Sequence, residues 1–407
     1  MPLNVRRNTI LLAAALAVNS CLLQLVAAVS ALTFVQITGI EGLLGLGPAI
    51  FLTSAGLVAL PAGRAMDRFG RVPVIAAGFL IASLGCSLVA LATRTDSTVA
   101  VIAGMALTGA GGGVALLART AAGDMYPPER RARGISYVLF GSVFGAILGP
   151  AIFAPLFSGK ELEPDALTLP WLVAAGLALV ACAISLFIRP DPKRIAEQLG
   201  AHASEPQPSA APLGELLRRP GVVPAMIAAL ASFAVMVSVM NLTGYVVVQH
   251  HHQAQEDVFP IVGAHVLGMY ALVLFVGPLI DRIGRGVSLY SGLVLMALSC
   301  IGLTWFESVL ETAVLLFVLG LGWNLSFVAA TAQLADRAVP AERGKLLGFN
   351  DLLSALTGAA LALLGGLALD ALGVSALAIG ATVLVLLPLV RLIRRGEPPA
   401  TIAARRT

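Results

Sequence analysis

The chain has 407 residues, of which 58% are hydrophobic and 12% charged, and its formal net charge is +4. A soluble domain carries about 25% charged residues, so this chain cannot cover a globular surface with polar groups and is built for lipid. The small net charge offers no basic face for nucleic acid. The four cysteines (Cys21, Cys86, Cys182, Cys300) stand in separate apolar runs, as packing residues do, and not in the pattern of a disulfide frame or a zinc site.

A membrane-spanning helix needs about 20 mostly apolar residues. In chain order such runs cover 10–35, 43–63, 73–93, 98–119, 135–157, 168–188, 221–248, 259–279, 288–306, 312–332, 346–369 and 374–393. The first is too long for a signal-peptide core and is read as a retained span. No segment alternates apolar and polar residues over strand length, which argues against a β-barrel. The fold class is therefore an all-α membrane protein of twelve transmembrane helices. Of the 26 lysines and arginines, all but Arg94 and Lys160 fall on the side of both termini. Basic loops mark the cytoplasmic side, so the sequence predicts a multi-pass protein of the plasma (inner) membrane with both termini cytoplasmic.

The spans divide into an N-terminal six-helix bundle (1–188) and a C-terminal one (221–393), followed by a cytoplasmic tail (394–407). Residues 189–220 between them are polar and rich in Pro, Ala, Glu and Ser, and read as a cytoplasmic linker. Its KRIAEQL stretch (193–199) is either a solvated tether or a short surface helix.

The halves repeat. GRAMDRFGR (Gly63 to Arg71), after span two, recurs about 214 residues on as GPLIDRIGR (Gly277 to Arg285), after span eight. Asp67 matches Asp281, Arg68 matches Arg282, Gly70 matches Gly284 and Arg71 matches Arg285. A second echo, Asp124 to Gly134 and Asp336 to Gly348, follows spans four and ten and pairs Glu129 with Glu342. Two six-span repeats in parallel orientation follow.

The doubled Gly-x-x-x-Asp-Arg-x-Gly-Arg loop resembles the major facilitator superfamily over essentially the whole chain. The resemblance implies two six-helix bundles around a central cavity that opens alternately to each side, with the substrate near the midplane. It also implies a cytoplasmic latch across the halves, closed in the outward-facing state. Asp67 would meet the start of span eleven (near Lys345 to Gly348), and Asp281 the start of span five (near Gly134). Arg71 would pair with Asp124, and Arg285 with Asp336. A carboxylate is favoured at a helix start by the positive end of the helix dipole. Otherwise these arginines serve topology alone.

Span five carries Gly141, Gly145, Gly149 and Pro150. Glycines four apart share a helix face. The stretch is similar to the Gly-Pro motif of the drug/proton antiporter branch, and equally fits plain close packing of small residues. That branch also carries an arginine early in span four, where this chain has Met105.

Polar groups at membrane depth are expensive and tend to face a cavity. Asn19 and Gln24 (span one), Asn241 (span seven), and Trp323 and Asn324 (span ten) are the candidates to line a substrate path, each amide otherwise serving as a helix–helix hydrogen bond. Asp351, about seven residues or on the order of 10 Å into span eleven, and His265 in span eight are candidates for proton coupling. Asp351 otherwise belongs to a gate near Arg282 or Arg285, and His265 to packing. The run QHHHQAQED (249–257) falls in the outer loop after span seven. Adjacent helical residues do not face one another, so the three histidines make a poor chelate. They read as a polar boundary, with a metal site or a pH-sensitive lid as alternatives.

The function expected is a secondary active transporter moving a small neutral or amphipathic organic solute by alternating access, possible as proton-coupled efflux. Uptake or facilitated diffusion of a small nutrient is the alternative, and a non-transporting sensor on the same fold the rival class. No Gly-x-x-x-x-Gly-Lys-Ser/Thr loop is present for a nucleotide. No catalytic cluster marks an enzyme, and neither cofactor nor metal is expected. The expected partners are the solute, protons and the lipid bilayer, with the protein working as a monomer.

Overall fold

The computed structural model describes residues 4–127, 130–159, 163–200 and 211–394. Glu129, Lys160, the tail beyond Arg394 and the side chain of Asp281 lie outside the described residues. Every predicted span is helical. Ten helices have the length and hydropathy to cross a membrane, another span is a pair bent by 40°, and the last has a shorter apolar stretch, Val374–Pro388.

Span one is Val5–Thr38, span two Leu46–Phe69 and span three Arg71–Thr95. Span four runs Thr98–Leu116 and, after a break at Leu117, Ala118–Asp124. Span five is Arg131–Phe157 and span six Pro164–Leu186. Span seven, Val222–Tyr245, ends in a widened π turn, Val246–His250. Span eight is broken into Gln255–Tyr270 and Val273–Ile283. Spans nine to twelve are Arg285–Gly302, Val309–Asp336, Pro340–Leu372 and Val374–Arg394.

Small residues set the helix spacing, and they do so alike in both halves. A Cβ on Gly111 of span four would lie 2.4 Å from the Ala82 nitrogen of span three. One on Gly292 of span nine would lie 2.5 Å from the Ser326 nitrogen of span ten. Without a hydrophobic drive between helices in lipid, such backbone approach supplies the packing energy. The glycine face of span five works the same way, since a Cβ on Gly141 would sit 2.2 Å from the Ala13 carbonyl oxygen of span one.

The two halves touch on the face opposite the arginine-rich loops and part on the basic face. On the opposite face Phe259 of span eight stacks on Phe153 and Phe157 of span five, with ring centroids 5.9 and 5.3 Å apart. All three rings are buried. Ser158 donates to Glu256 at 3.1 Å beside them. Gly45, at the head of span two, abuts span eleven so closely that a Cβ would be 2.1 Å from the Ala362 oxygen. On the basic face a Cβ on Gly63, Gly344 or Gly348 would meet nothing within 4 Å.

The linker contains short helices at each end, Pro192–Gly200 and Leu213–Arg218. A solvated tether at 193–199 is therefore not what forms. Asp191 precedes the first helix and accepts from the Lys193 backbone N–H at 2.8 Å. The same carboxylate accepts the first N–H groups of span three, from Arg71 at 3.1 Å and Val72 at 2.9 Å. At the other end, Arg219 makes two bonds to Glu342 of span eleven, at 2.7 and 2.9 Å, and Lys345 donates to the Ala211 oxygen at 2.9 Å. Each end of the linker is thus fastened to its own half.

Candidate substrate path and gates

The repeated loop folds as the same tight turn twice. Gly70 and Gly284 have φ of +103° and +92°, a region that L side chains rarely enter and glycine enters freely. The turn starts the next helix at Arg71 or Arg285. Arg71 Nε donates to Asp124 Oδ2 at 2.7 Å and its Nη1 to Asp67 Oδ1 at 2.7 Å. Arg285 donates to Asp336 in the matching place. Arg68 lies over the Phe69 ring at 5.1 Å, and Arg282 is exposed. A Cβ on Gly277, like one on Gly63, would meet nothing within 4 Å.

Asp67 does not reach span eleven in this conformation. Its carboxylate is on Arg71, in its own half, and Lys193 Nζ donates to its backbone oxygen at 2.6 Å. The physical reason is the separation of the halves on the basic face. The resemblance assigns the cross-half contact to the state closed there, whereas here the seal is on the other face.

One ion pair does bridge the halves. Arg119 Nη2, two residues past the break in span four, donates to Asp351 Oδ2 of span eleven at 2.9 Å. The side chains are 36% and 39% exposed. The partner of Asp351 is therefore Arg119 of the other half, where the sequence reading offers Arg282 or Arg285. Span eleven starts at Pro340, not near 346, because Glu342 Oε2 accepts the Val339 N–H at 3.1 Å and caps the helix earlier. Asp351 thus lies roughly 16 Å along its helix, between the halves.

An aromatic row stands beside this pair in the C-terminal half. Trp323 stacks on Phe327 with centroids 5.2 Å apart and planes at 16°. Tyr270 meets the Trp323 edge at 6.2 Å, and Phe233 meets Phe327 at 5.8 Å. Tyr270 also lies within electrostatic reach of Arg119. Sequence reading found Trp323 and missed the other three. Phe327 was findable four residues from Trp323, on one helix face, and Tyr270 ends the first part of broken span eight.

Gln24, Asn241 and Asn324 are taken up by helix packing in this conformation, whereas the buried Asn19 Nδ2 has no hydrogen-bond partner among the described residues. Gln24 Nε2 donates to the Gly145 oxygen at 2.6 Å, and Gly149 leaves it room, since a Cβ there would be 2.5 Å from Nε2. Pro150 packs near Gly263 of span eight, where the two halves meet. Asn241 donates to the Val237 oxygen at 2.7 Å in its own helix. Asn324 donates to the Met269 oxygen, and Asn19 is buried in span one. A buried amide in an apolar setting takes the nearest carbonyl. His265 is fully buried, its Nδ1 2.8 Å from the Leu316 oxygen of span ten, inside one half and apart from Asp351. Met105, at the expected arginine position, is fully buried.

The three histidines diverge. His250 meets the Tyr245 ring edge at 6.0 Å. The His251 imidazole is held below the usual histidine value by burial. His252 has φ of +53°. Among the described residues no three His, Cys, Asp or Glu side chains are grouped to hold a metal ion.

The family model of the Major Facilitator Superfamily matches residues 11–264 and 261–406. The chain belongs to that superfamily. It is 31% identical over 345 residues to the uncharacterized MFS-type transporter YdeG of Bacillus subtilis (strain 168), covering 83% of this chain and 80% of that one. It is 31% identical over 400 residues to the riboflavin transporter RfnT of Brucella anthropi, covering 98% of each. Among solved structures, a POT family transporter in complex with 5-aminolevulinic acid has the same fold, with a TM-score of 0.74 at 13% identity, covering 95% of this chain and 96% of that one. An all-α membrane protein of the transporter superfamily is thus established, with the doubled loop as its mark.

Proposed function

We propose that this superfamily member is a secondary transporter of a small planar, amphipathic organic solute, working by alternating access in the plasma membrane with the basic face cytoplasmic. The observation that carries the reading is the Arg119–Asp351 bridge between the halves, set beside the Tyr270–Trp323–Phe327–Phe233 row. An aromatic row suits a flat ring, and a half-exposed ion pair is a polar contact that a solute can replace. The separated basic face and the Phe153–Phe157–Phe259 seal correspond to an inward-open state. The loop carboxylates Asp67 and Asp281 then act as the latch of the opposite state.

Movement of the solute is coupled to protons through Asp351, whose carboxylate alternates between Arg119 and a proton. His265, packed on span ten, holds the C-terminal half together instead. The span-five glycines are accounted for by contact with span one and carry no argument for efflux. Uptake is the second reading, favoured by the full-length similarity to a riboflavin transporter.

The test is flux into proteoliposomes holding the full chain. Riboflavin and a set of smaller planar solutes are offered, in each direction, with and without an imposed pH gradient. Trp323→Ala should raise the half-saturation concentration about two- to tenfold, the scale of one aromatic contact, while Trp323→Phe stays near wild type. Saturable binding without any flux would replace the transporter with a sensor.

A further inference from the structure

A proton on Asp351 leaves the Arg119 guanidinium without its partner, in surroundings that are largely apolar. Span two meets span eleven at this level through Gly56, where a Cβ would lie 2.7 Å from the Ala355 Cβ and 3.8 Å from Leu352 Cδ1. Span seven brings Phe233, and span ten brings Trp323 and Phe327. The titratable groups that meet here are Arg119 of span four, Asp351 of span eleven and the Tyr270 phenol of span eight, which lies within electrostatic reach of Arg119. His265 is turned to the Leu316 oxygen inside one half.

In the open state water reaches the pair, whose side chains are 36% and 39% exposed, and screens a lone guanidinium. Under the alternating access proposed above, the halves then close over the site and that water leaves. An unpaired cation is strongly unfavourable in such a place. A neutral solute leaves that charge uncancelled, and a cationic one doubles it. A solute with one negative charge cancels it.

The hydrogen-bonding groups favour the same solute. Trp323 is 8% exposed, and its Nε1 is buried with no hydrogen-bond partner among the described residues. An indole N–H can only donate, and a buried donor is costly to leave unpaired. With a proton on Asp351 the site therefore offers three donors: the guanidinium, the carboxyl O–H and the indole N–H. Their complement is a set of acceptor oxygens beside a ring that lies along the aromatic row. Guanidinium and carboxylate match as a forked pair.

We propose that the solute is an aromatic monocarboxylate, which binds Arg119 in place of Asp351 while Asp351 takes one proton from the water of the open side. The site is then neutral both empty and loaded, so both forms can reorient, and one anion and one proton cross together. This rests on the transporter reading above and narrows its planar solute to an anion.

The experiment uses the purified full chain and compares 2-naphthoate with 2-naphthamide, which has the same ring without the charge. Binding is followed by isothermal titration calorimetry at pH 6 and pH 8, in buffers of different ionisation enthalpy so that protons taken up are counted. At pH 6 the acid should bind about tenfold or more tighter than the amide, the scale of a charge-assisted hydrogen bond. Its binding should weaken towards pH 8 and take up about one proton per anion, as linkage requires, whereas the amide should bind alike at both pH values. Arg119→Gln should bring acid and amide to equal affinity. Asp351→Asn should keep the preference for the acid and lose its pH dependence. Equal affinity for acid and amide in the wild type, or acid binding without proton uptake, overturns the anion and leaves the aromatic site standing. An undiminished preference for the acid in Arg119→Gln also overturns it, and the wild-type measurements decide alone should that variant fail to fold. Saturable binding of neither probe removes the aromatic site and the anion with it.

Discussion

Replacing Asp351 by Asn separates a bridge that merely props the halves from a group that carries a proton. The Arg119–Asp351 contact is short, at 2.9 Å, but its side chains are 36% and 39% exposed. Water screens such a pair, and exposed ion pairs contribute about 0–1 kcal/mol. Losing 1 kcal/mol shifts a two-state population roughly fivefold. As a prop alone, the pair therefore allows Asp351→Asn at most about a fivefold change in any transport mode. As a proton carrier it predicts more. Accumulation driven by an imposed pH gradient should vanish, while solute counterflow without a gradient stays within about fivefold of wild type. Both modes are read in the same proteoliposomes with labelled solute, and Asp351→Glu should restore driven accumulation. Undiminished gradient-driven accumulation by Asp351→Asn would refute the proton role. Collapse of counterflow far beyond fivefold would refute the estimate of a weak bridge.

Three further outcomes follow from the packing and the loops. Asp67→Ala should cut transport with expression largely kept if, as proposed, its exposed carboxylate latches the state closed at the basic face; full activity in a well-expressed variant rules out the latch. Gly141→Val should sharply lower the yield of folded protein, since even a Cβ would sit 2.2 Å from the Ala13 oxygen, whereas Gly344→Ala, with open space around it, should express normally by size-exclusion profile. Asp191→Ala removes acceptors from the start of span three and should cost about 0.5–2 kcal/mol, read as a lowered thermal-unfolding midpoint that Asp191→Asn partly recovers.

The apolar runs and the basic loops were enough to read twelve helices in two repeats, because lipid forces every backbone group into internal hydrogen bonds. Boundaries were less legible where capping chemistry competes with hydropathy. Pro340 and Glu342 are a helix-start pattern, and polar residues there hid it from an apolar-run reading. Asp191 followed by Pro192 is likewise a helix start, inside a segment whose composition suggested a tether. The break of span eight at Ala271 and Leu272 carries no glycine or proline, so it had no local signal. The Arg119–Asp351 contact joins residues of opposite halves, and its register depended on both the break in span four and the early start of span eleven. The amides were correctly found as buried polar groups. Their partners, mostly backbone carbonyls of neighbouring helices, exist only once the helices are packed.

Because one end of the linker rides with span three and the other with span eleven, the linker need not act as the hinge between the halves. The covalent path from Gly200 to Ala211 can stretch to about 36–40 Å at most, a leash whose length limits how far the basic faces can swing apart. Within that limit the halves can rock while Asp191 and Glu342 keep their bonds. Under the proposed alternating access, the pivot falls on the close-packed helix pairs of the opposite face, where glycines such as Gly45 let one backbone bear directly on another.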